Sequence, residues 1–236
     1  MWGVGTIPSM VPAQHALPEA LLSGYRRFRE GRYAVERERY RELGEGSQRP
    51  GSMVIACSDS RSAPDAIFDA RPGELFVVRN VAALVPVYAP DRGAHGASAA
   101  LEYAVLALGV RSIVVLGHGR CGGIAAAHGE AEALSATDFI GTWVAGIREL
   151  VPAAAAAVGD DPVALQLALE RASVERSIAN LATFPWVRSR VAAGELQLHG
   201  AWFEIARGEL HAFRDGRWEP VDGDGSPGAE PGLSRG

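Results

Sequence analysis

Ser112-Ile-Val-Val-Leu-Gly-His118-Gly-Arg-Cys121-Gly-Gly123 is an apolar run that ends in a glycine-rich polar loop. Branched aliphatic residues bounded by Ser and Gly read as a strand buried on both faces, the form that parallel strands take. The alanine-rich stretch from Cys121 onward reads as a helix. The segment is therefore strand, loop, helix, with polar residues where the strand stops. The same grammar occurs upstream. Ser52-Met-Val-Ile-Ala-Cys57 follows Pro50-Gly51 and ends in Cys57-Ser-Asp59-Ser-Arg61, and Leu75-Phe-Val-Val lies within a second buried strand over 74–79.

Helical patterns separate these strands. Residues 64–69 suit a short helix, and 97–108 form a stronger one closed by Gly109 at the usual C-terminal position. Leu21, Leu22, Tyr25 and Phe28 recur at helical spacing over 18–32, and a second helix spans 34–43, stopped by Gly44-Glu-Gly46. Further helices are expected over 139–150 and 162–181, then strands over 196–206 and 209–214 around the turn at Arg207-Gly208. This alternation predicts an α/β fold: a mainly parallel β-sheet of four strands plus an edge strand or hairpin, flanked by helices, with an N-terminal helical arm. One domain is expected over 16–218. Residues 1–15, with Gly3, Pro8 and Pro12, read as a loose extension. Residues 219–236, rich in Gly, Pro, Asp and Ser, read as a disordered tail.

The 236 residues are 47% hydrophobic and 22% charged, enough for one well-filled core. A net charge of −5 argues against a nucleic-acid binder. Arg26, Arg27, Arg29, Arg32, Arg37, Arg39 and Arg41 do crowd the early helices, but Glu30, Glu36, Glu38 and Glu42 alternate with them, which reads as a solvated face with i,i+4 pairs. No apolar run reaches the roughly 18 residues of a membrane span. Residues 1–18 lack the basic region and apolar core of a secretory signal. The expectation is a cytoplasmic protein without nucleic-acid or membrane partners.

The chain has two cysteines, Cys57 and Cys121. In a secreted protein such a pair would suggest a disulfide; here both stand beside other ligand-type side chains at the ends of buried strands, where α/β sheets place their ligand sites. Cys121 also lies near a helix N-terminus, which favours thiolate. Two thiolates and the His118 imidazole make a good zinc set. The fourth position falls to water or to a carboxylate, with Asp59 nearest in sequence; water would make the site catalytic. Zinc lowers the pKa of bound water and makes hydroxide available near neutral pH. Two thiolates cancel the formal charge of the metal and leave that water less acidic than three imidazoles would, so activity is expected to rise toward alkaline pH. Asp59 is placed to orient the hydroxide, and Arg61 to pair with Asp59 through both nitrogens and hold it off the metal.

Alone, H-x-x-C and C-x-D-x-R are weak signals; together at two strand ends they are specific. Two other readings fail on the residues. Gly117-His-Gly119-Arg-Cys-Gly122 matches a dinucleotide-binding G-x-G-x-x-G, but no second strand ending in an acid follows. Cys57 as a phosphatase or sulfurtransferase nucleophile leaves a short cradle before Arg61 and no role for His118 and Cys121. His15, His128 and His211 read as surface positions, His199 as packing beside Trp202, and His95 as an uncommitted neighbour of the site.

Ala56-Cys-Ser-Asp-Ser-Arg61, Phe76-Val-Val-Arg-Asn-Val81 and Gly117-His-Gly-Arg-Cys-Gly-Gly123 resemble the signature segments of β-class carbonic anhydrases. The similarity runs over about 17–213 and includes Ser98-Ala-Ala-Leu-Glu-Tyr103, Phe184-Pro-Trp186 and Leu198-His-Gly-Ala-Trp202. The resemblance implies zinc-dependent, reversible hydration of CO2 to bicarbonate and a proton, with one zinc per subunit on Cys57, His118 and Cys121 and the Asp59–Arg61 dyad beside it. It implies a homodimer, often paired into tetramers, with substrate pockets at the dimer interface. The plant-type branch has a glutamine nine residues before the first zinc cysteine, here Gln48, carried over as a donor to substrate oxygen. Phe76, Val81 and Gly122 match its substrate-pocket positions. Val54 stands where the bicarbonate-inhibited branch has tryptophan, and Ala94 where a pocket tyrosine is expected, with Tyr88 as a substitute. Two alternatives remain: a non-catalytic zinc protein in which Asp59 closes the coordination sphere, and a hydrolase of CS2 or COS.

Overall fold

In the computed structural model, which describes residues 17–91, 93–129, 133–159 and 161–221, each apolar run read as a strand is a strand. The contacts divide the chain into two compact units, Met1–Ser47 and Gln48–Gly236, where the sequence predicts one domain. The expected extension over 1–15 lies outside the described residues.

The first unit carries α1 (Glu19–Glu30), α2 (Arg32–Val35) and α3 (Arg37–Glu45). The helix expected over 34–43 is two helices, because Glu36 leaves helical geometry (φ −98, ψ 15). The helices hold together through rings rather than a core. Phe28 stands 5.9 Å from Tyr33 and 5.7 Å from Tyr40, and the two tyrosines are 5.3 Å apart, but no residue of the three helices is buried. The arginines and glutamates pair along the exposed faces, as their alternation predicts: Arg32 with Glu36, and Arg41 with Glu38 and Glu45.

The second unit contains β1 (Ser52–Cys57), α4 (Pro64–Ile67), β2 (Leu75–Asn80), a 3-10 turn at Val81–Ala83, α5 (Gly96–Glu102) continuing as a π-helical segment Tyr103–Leu108, and β3 (Ser112–His118). Then come α6 (Gly122–His128), α7 (Phe139–Trp143), α8 (Ala145–Arg148), α9 (Val151–Val158), α10 (Pro162–Leu181) and α11 (Pro185–Ala192). It closes with β4 (Gln197–Glu204), β5 (Glu209–Arg214) and β6 (Arg217–Pro220). The strand order is β2-β1-β3-β4-β5-β6. The first four strands are parallel; β4, β5 and β6 form an antiparallel meander. This is the predicted parallel sheet with an edge hairpin, lengthened by one strand.

Side chains alternate across the sheet with period two. Met53 and Ile55 of β1 and Ile113 and Val115 of β3 pack with Leu181, Phe184 and Val187 on one face, while Val54, Ala56, Leu116 and Ala201 form the layer on the other. Gly109 ends the π-helical segment in the left-handed conformation expected of it (φ 67, ψ 38).

The segment expected as one helix over 139–150 is broken at Val144 (φ −92, ψ 5) into α7 and α8. The sequence reading missed α11, whose apolar residues are too few to show a period. It also missed β6, where Trp218 is the lone large apolar residue and packs on Phe213 at 5.3 Å. β6 runs through Glu219 to Pro220, inside the stretch assigned to the tail. Ile113 is fully buried in β3, paired with Met53 on one side and Leu198 on the other. Ile113→Ala is expected to cost about 2–5 kcal/mol, measured as a shift of the urea unfolding midpoint at unchanged slope.

Candidate metal centre

β1 and β3 are hydrogen-bonded neighbours running the same way, so Cys57, the last residue of β1, and His118, the last of β3, meet at the carboxyl ends of the parallel strands. The loop after His118 turns back at Arg120, which takes a left-handed φ of 55, and delivers Cys121 as the residue capping α6. All three side chains are buried, and their candidate ligand atoms lie within 4.8 Å of one another. Among the described residues this is the one such cluster.

The geometry and chemistry both fit zinc. Two thiolates on one tetrahedral zinc, each about 2.3 Å from the metal, stand about 3.8 Å apart. Cys57 Sγ and Cys121 Sγ are 3.9 Å apart. His118 hydrogen-bonds the Gly119 carbonyl through Nδ1 at 2.9 Å, which fixes its tautomer and leaves Nε2 as the lone pair. That buried Nε2 has no hydrogen-bond partner, which a metal ligand should not have. The thiols show why a cation belongs between them. The hydrogen bond with Cys121 holds the Cys57 thiol well below its ordinary value against the opposing effect of burial. The same contact and burial push Cys121 far up, since a second thiolate so close would repel the first. A dication removes that conflict and lets both sulfurs ionise.

The backbone around the cysteines is strained toward the same end. Ala82 and Ala83 adopt left-handed conformations (φ 66 and 56), which cost about 1–2 kcal/mol each in a residue with a Cβ. The geometry aims the Ala82 N–H at Cys57 Sγ, 3.4 Å away. Asn80 pins the turn by donating to Leu84 O at 2.9 Å and accepting from Leu84 N at 2.8 Å, and Trp143 Nε1 donates to Val81 O at 2.8 Å. Gly123 is required where α6 crosses this turn, since a Cβ there would meet Val81 Cγ1 at 2.6 Å.

Asp59 stands beside the cluster, its Oδ2 3.9 Å from His118 Nε2. Arg61 holds both carboxylate oxygens, Nε to Oδ1 at 2.9 Å and Nη2 to Oδ2 at 2.7 Å, and its own backbone N–H adds a third bond to Oδ1 at 2.9 Å. The fork lies as the sequence predicts, and it keeps the carboxyl of Asp59 far below the usual carboxylate range. Arg61 Nη2 also reaches the Arg120 carbonyl at 3.3 Å, tying the dyad to the loop that carries Cys121.

Val81 and Gly122 line a common cleft of ≈ 320 Å³ with Gly123, Ala126, Ile140 and Val144. Phe76 does not line it; its ring stands 6.0 Å from Tyr103, which is half exposed. Gln48 is exposed and lies outside the cleft. Ala94 is also exposed, and Tyr88 packs on Phe184 at 5.4 Å. His95 bonds Asp91 at 2.6 Å. His199, expected to pack, is exposed, while His211, expected at the surface, sits against Trp202 at 5.4 Å; the alternation of β4 turns position 199 outward.

The sequence reading missed Arg79, which donates through Nε to the Cys57 carbonyl at 2.8 Å and through Nη2 to Asp59 O. It also missed Gln166, Glu170 and Trp202, which meet behind Cys121. The available signal was the helical spacing of α10. Counting back from Leu181 through Ser177 and Val174 places Glu170 on the buried face.

Because Asp59 is depressed in the folded protein, its contribution to stability is present above the ordinary carboxylate range and is lost as pH falls toward its folded value. In Arg61→Ala the carboxyl is expected to titrate higher than in the wild type, since the guanidinium fork is lost while the backbone N–H at position 61 stays, read by carbon-detected NMR of the side chain.

A family model described as carbonic anhydrase matches residues 52–210. Beta carbonic anhydrase 5 of Arabidopsis thaliana, a chloroplastic protein, is 37% identical over 181 residues, 75% of this chain; the chain spans 58% of that relative's length. A carbonic anhydrase of Pseudomonas aeruginosa is 35% identical over 193 residues, covering 82% of this chain and 86% of that protein. The solved structure of the β-carbonic anhydrase CcaA superposes with a TM-score of 0.79 at 29% identity, over 86% of this chain and 98% of that one. A structure from a report on two tetrameric β-carbonic anhydrases of Sordaria macrospora gives 0.73 at 28% identity, over 83% and 95%.

Proposed function

The chain belongs to the carbonic anhydrase family, in its β class, and from that premise we propose that it catalyses the reversible hydration of CO2 to bicarbonate and a proton. The observation that carries this reading is the buried Cys57–His118–Cys121 set with Asp59 locked beside it by Arg61. Zinc held by those three residues supplies a Lewis acid that makes water a nucleophile near neutral pH. The residues of the chain do the rest. Asp59 accepts a proton-bearing hydrogen bond from the attacking water and fixes which lone pair faces the substrate. Arg61 keeps Asp59 ionised and prevents it from closing the metal's coordination. The apolar part of the cleft, Val81, Ile140 and Val144, suits CO2, which has no net dipole, while Asp138 and Arg148 line its polar side. The backbone at Gly122 gives substrate room beside Cys121.

Gln48 and Phe76 line no wall of this cleft, so their assignment as substrate-contacting residues of a plant-type enzyme needs a second copy of the chain. A homodimer, or a tetramer like that named for the Sordaria relatives, is the proposed assembly. No helix among the described residues is long and apolar enough to cross a membrane. The need for two free thiols 3.9 Å apart favours a reducing, cytoplasmic setting.

The non-catalytic alternative requires an Asp59 oxygen on the metal, whereas both oxygens are engaged by Arg61. A hydrolase of CS2 or COS shares the fold and metal set and is separated by substrate. Stopped-flow CO2 hydration by zinc-loaded protein is expected to be fast and faster at about pH 8.5 than at about pH 7, since two thiolates leave the water weakly acidic. Absence of hydration at either pH, with zinc bound, would sink the proposal. Arg61→Ala is expected to lower kcat/KM by roughly 10–100-fold with zinc retained. His118→Ala and Cys57→Ser are expected to lose zinc by metal analysis.

A further inference from the structure

Glu170 is 3% exposed, in the middle of α10, among Leu169, Ser173 and Val174. A buried carboxylate is expensive, and an apolar residue of similar size would be the cheaper occupant if packing alone were at stake. Its surroundings are chosen for it. Oε1 accepts the backbone N–H of Cys121 at 2.9 Å and the Gln166 side-chain amide at 2.7 Å, and Oε2 accepts the Trp202 indole N–H at 3.1 Å. All three partners can only donate, so both oxygens serve as acceptors.

Gln166, one helical turn earlier, completes the arrangement. Its Nε2 also donates to the Cys121 carbonyl at 3.1 Å, and its Oε1 meets His128 Nε2 at 2.7 Å. The N–H and the C=O of a single residue, Cys121, are thus both held by side chains of α10, which fixes the peptide planes on either side of its Cα. With those planes fixed, the direction of the Cα–Cβ bond is fixed too, and with it the reach of Sγ toward Cys57.

We propose that Glu170 and Gln166 are a positioning pair for Cys121: they clamp the backbone of this metal ligand from behind, and Trp202 holds the clamp against the sheet. This deepens the zinc-enzyme reading and rests on it. Neither side chain touches substrate; both act through the thiolate they aim.

The decisive variant is Glu170→Gln, which keeps the shape but turns one acceptor oxygen into a donor, so that it must face the N–H of Cys121 and Gln166 or that of Trp202. The measurements are zinc affinity by chelator competition and the thiolate-to-metal charge-transfer band of the cobalt-substituted protein. The expected result is roughly 10–100-fold weaker zinc binding and a shifted or weakened band. A merely structural residue would lower thermal stability and leave the cobalt band where it was. Should Glu170→Gln fail to fold, Gln166→Ala carries the same test, with a several-fold loss of zinc affinity and a changed band expected. Wild-type affinity and spectrum in whichever variant folds would overturn the clamp. Wild-type protein that binds neither metal would overturn the zinc reading as well, so the two failures are told apart by the unmutated chain.

Discussion

The parallel pairing of β1 with β3 is the constraint on which the rest of the site depends. It brings two chain segments 61 residues apart, Cys57 and His118, to adjacent strand ends with their direction already set. The two faces pack into different layers, so a slip of one residue would put the smaller Val54 and Ala56 where Met53 and Ile55 pack against Leu181, Phe184 and Val187. The metal ligands inherit that accuracy. They sit where a strand, with its ladder satisfied on both sides, gives way to a loop whose polar groups are free to serve a ligand. Cys121 has no such support from the sheet, and the loop that presents it contains a left-handed non-glycine residue, Arg120. Its accuracy has to come from elsewhere: the Ala125 N–H of α6 and the Arg61 contact to Arg120 O contribute, and side chains of α10 add hydrogen bonds to both its N–H and its C=O.

The sheet and the cluster of Cys57, His118 and Cys121, which could hold a metal, were legible because their signals are local. A run such as Ile113-Val-Val-Leu116 declares a buried parallel strand, and a cysteine placed where such a run stops declares a site. The Asp59–Arg61 fork was legible for the same reason, since two residues of separation at a strand end force the side chains together. What the sequence left dark depends on long-range contact. Glu170 lies 49 residues from Cys121, and Trp202 lies 32 residues beyond Glu170. Nothing in their immediate neighbours marks them, apart from an acidic residue on the apolar stripe of a helix. Arg79 reads as an ordinary strand-end charge until β2 is known to lie beside β1. β6 and α11 escaped because four or eight residues with one or two apolar side chains carry no period to detect.

Strain at the site is concentrated where it serves the cysteines. Ala82 and Ala83 hold left-handed backbone conformations that alanine disfavours, and the structure surrounds them with restraints: the Asn80–Leu84 pair, the Trp143 indole and the close approach of Gly123. The gain is an N–H directed at Cys57 Sγ. A hydrogen bond to a thiolate drains some of its charge, and that matters in a site with two sulfurs. Thiolates donate strongly to zinc and make any water on it less acidic; an N–H on sulfur works in the opposite direction.

Charge balance ties these parts together. Two thiolates offset a dication, and Asp59 is offset by Arg61, so a zinc-loaded centre is close to neutral before any water gives up its proton. Zinc held there would supply a Lewis acid for water, and Arg61 bears on its charge balance because its guanidinium reaches both the Asp59 carboxylate and the Arg120 carbonyl on the ligand loop. If Asp59 lost that partner it would be an unmatched anion 3.9 Å from His118 Nε2, and the simplest relief would be to bind the metal itself. The fork therefore bears on two fates of one site: Asp59 free to close the coordination of a metal held by Cys57, His118 and Cys121, or Asp59 held by Arg61 so that a position there would be left for water.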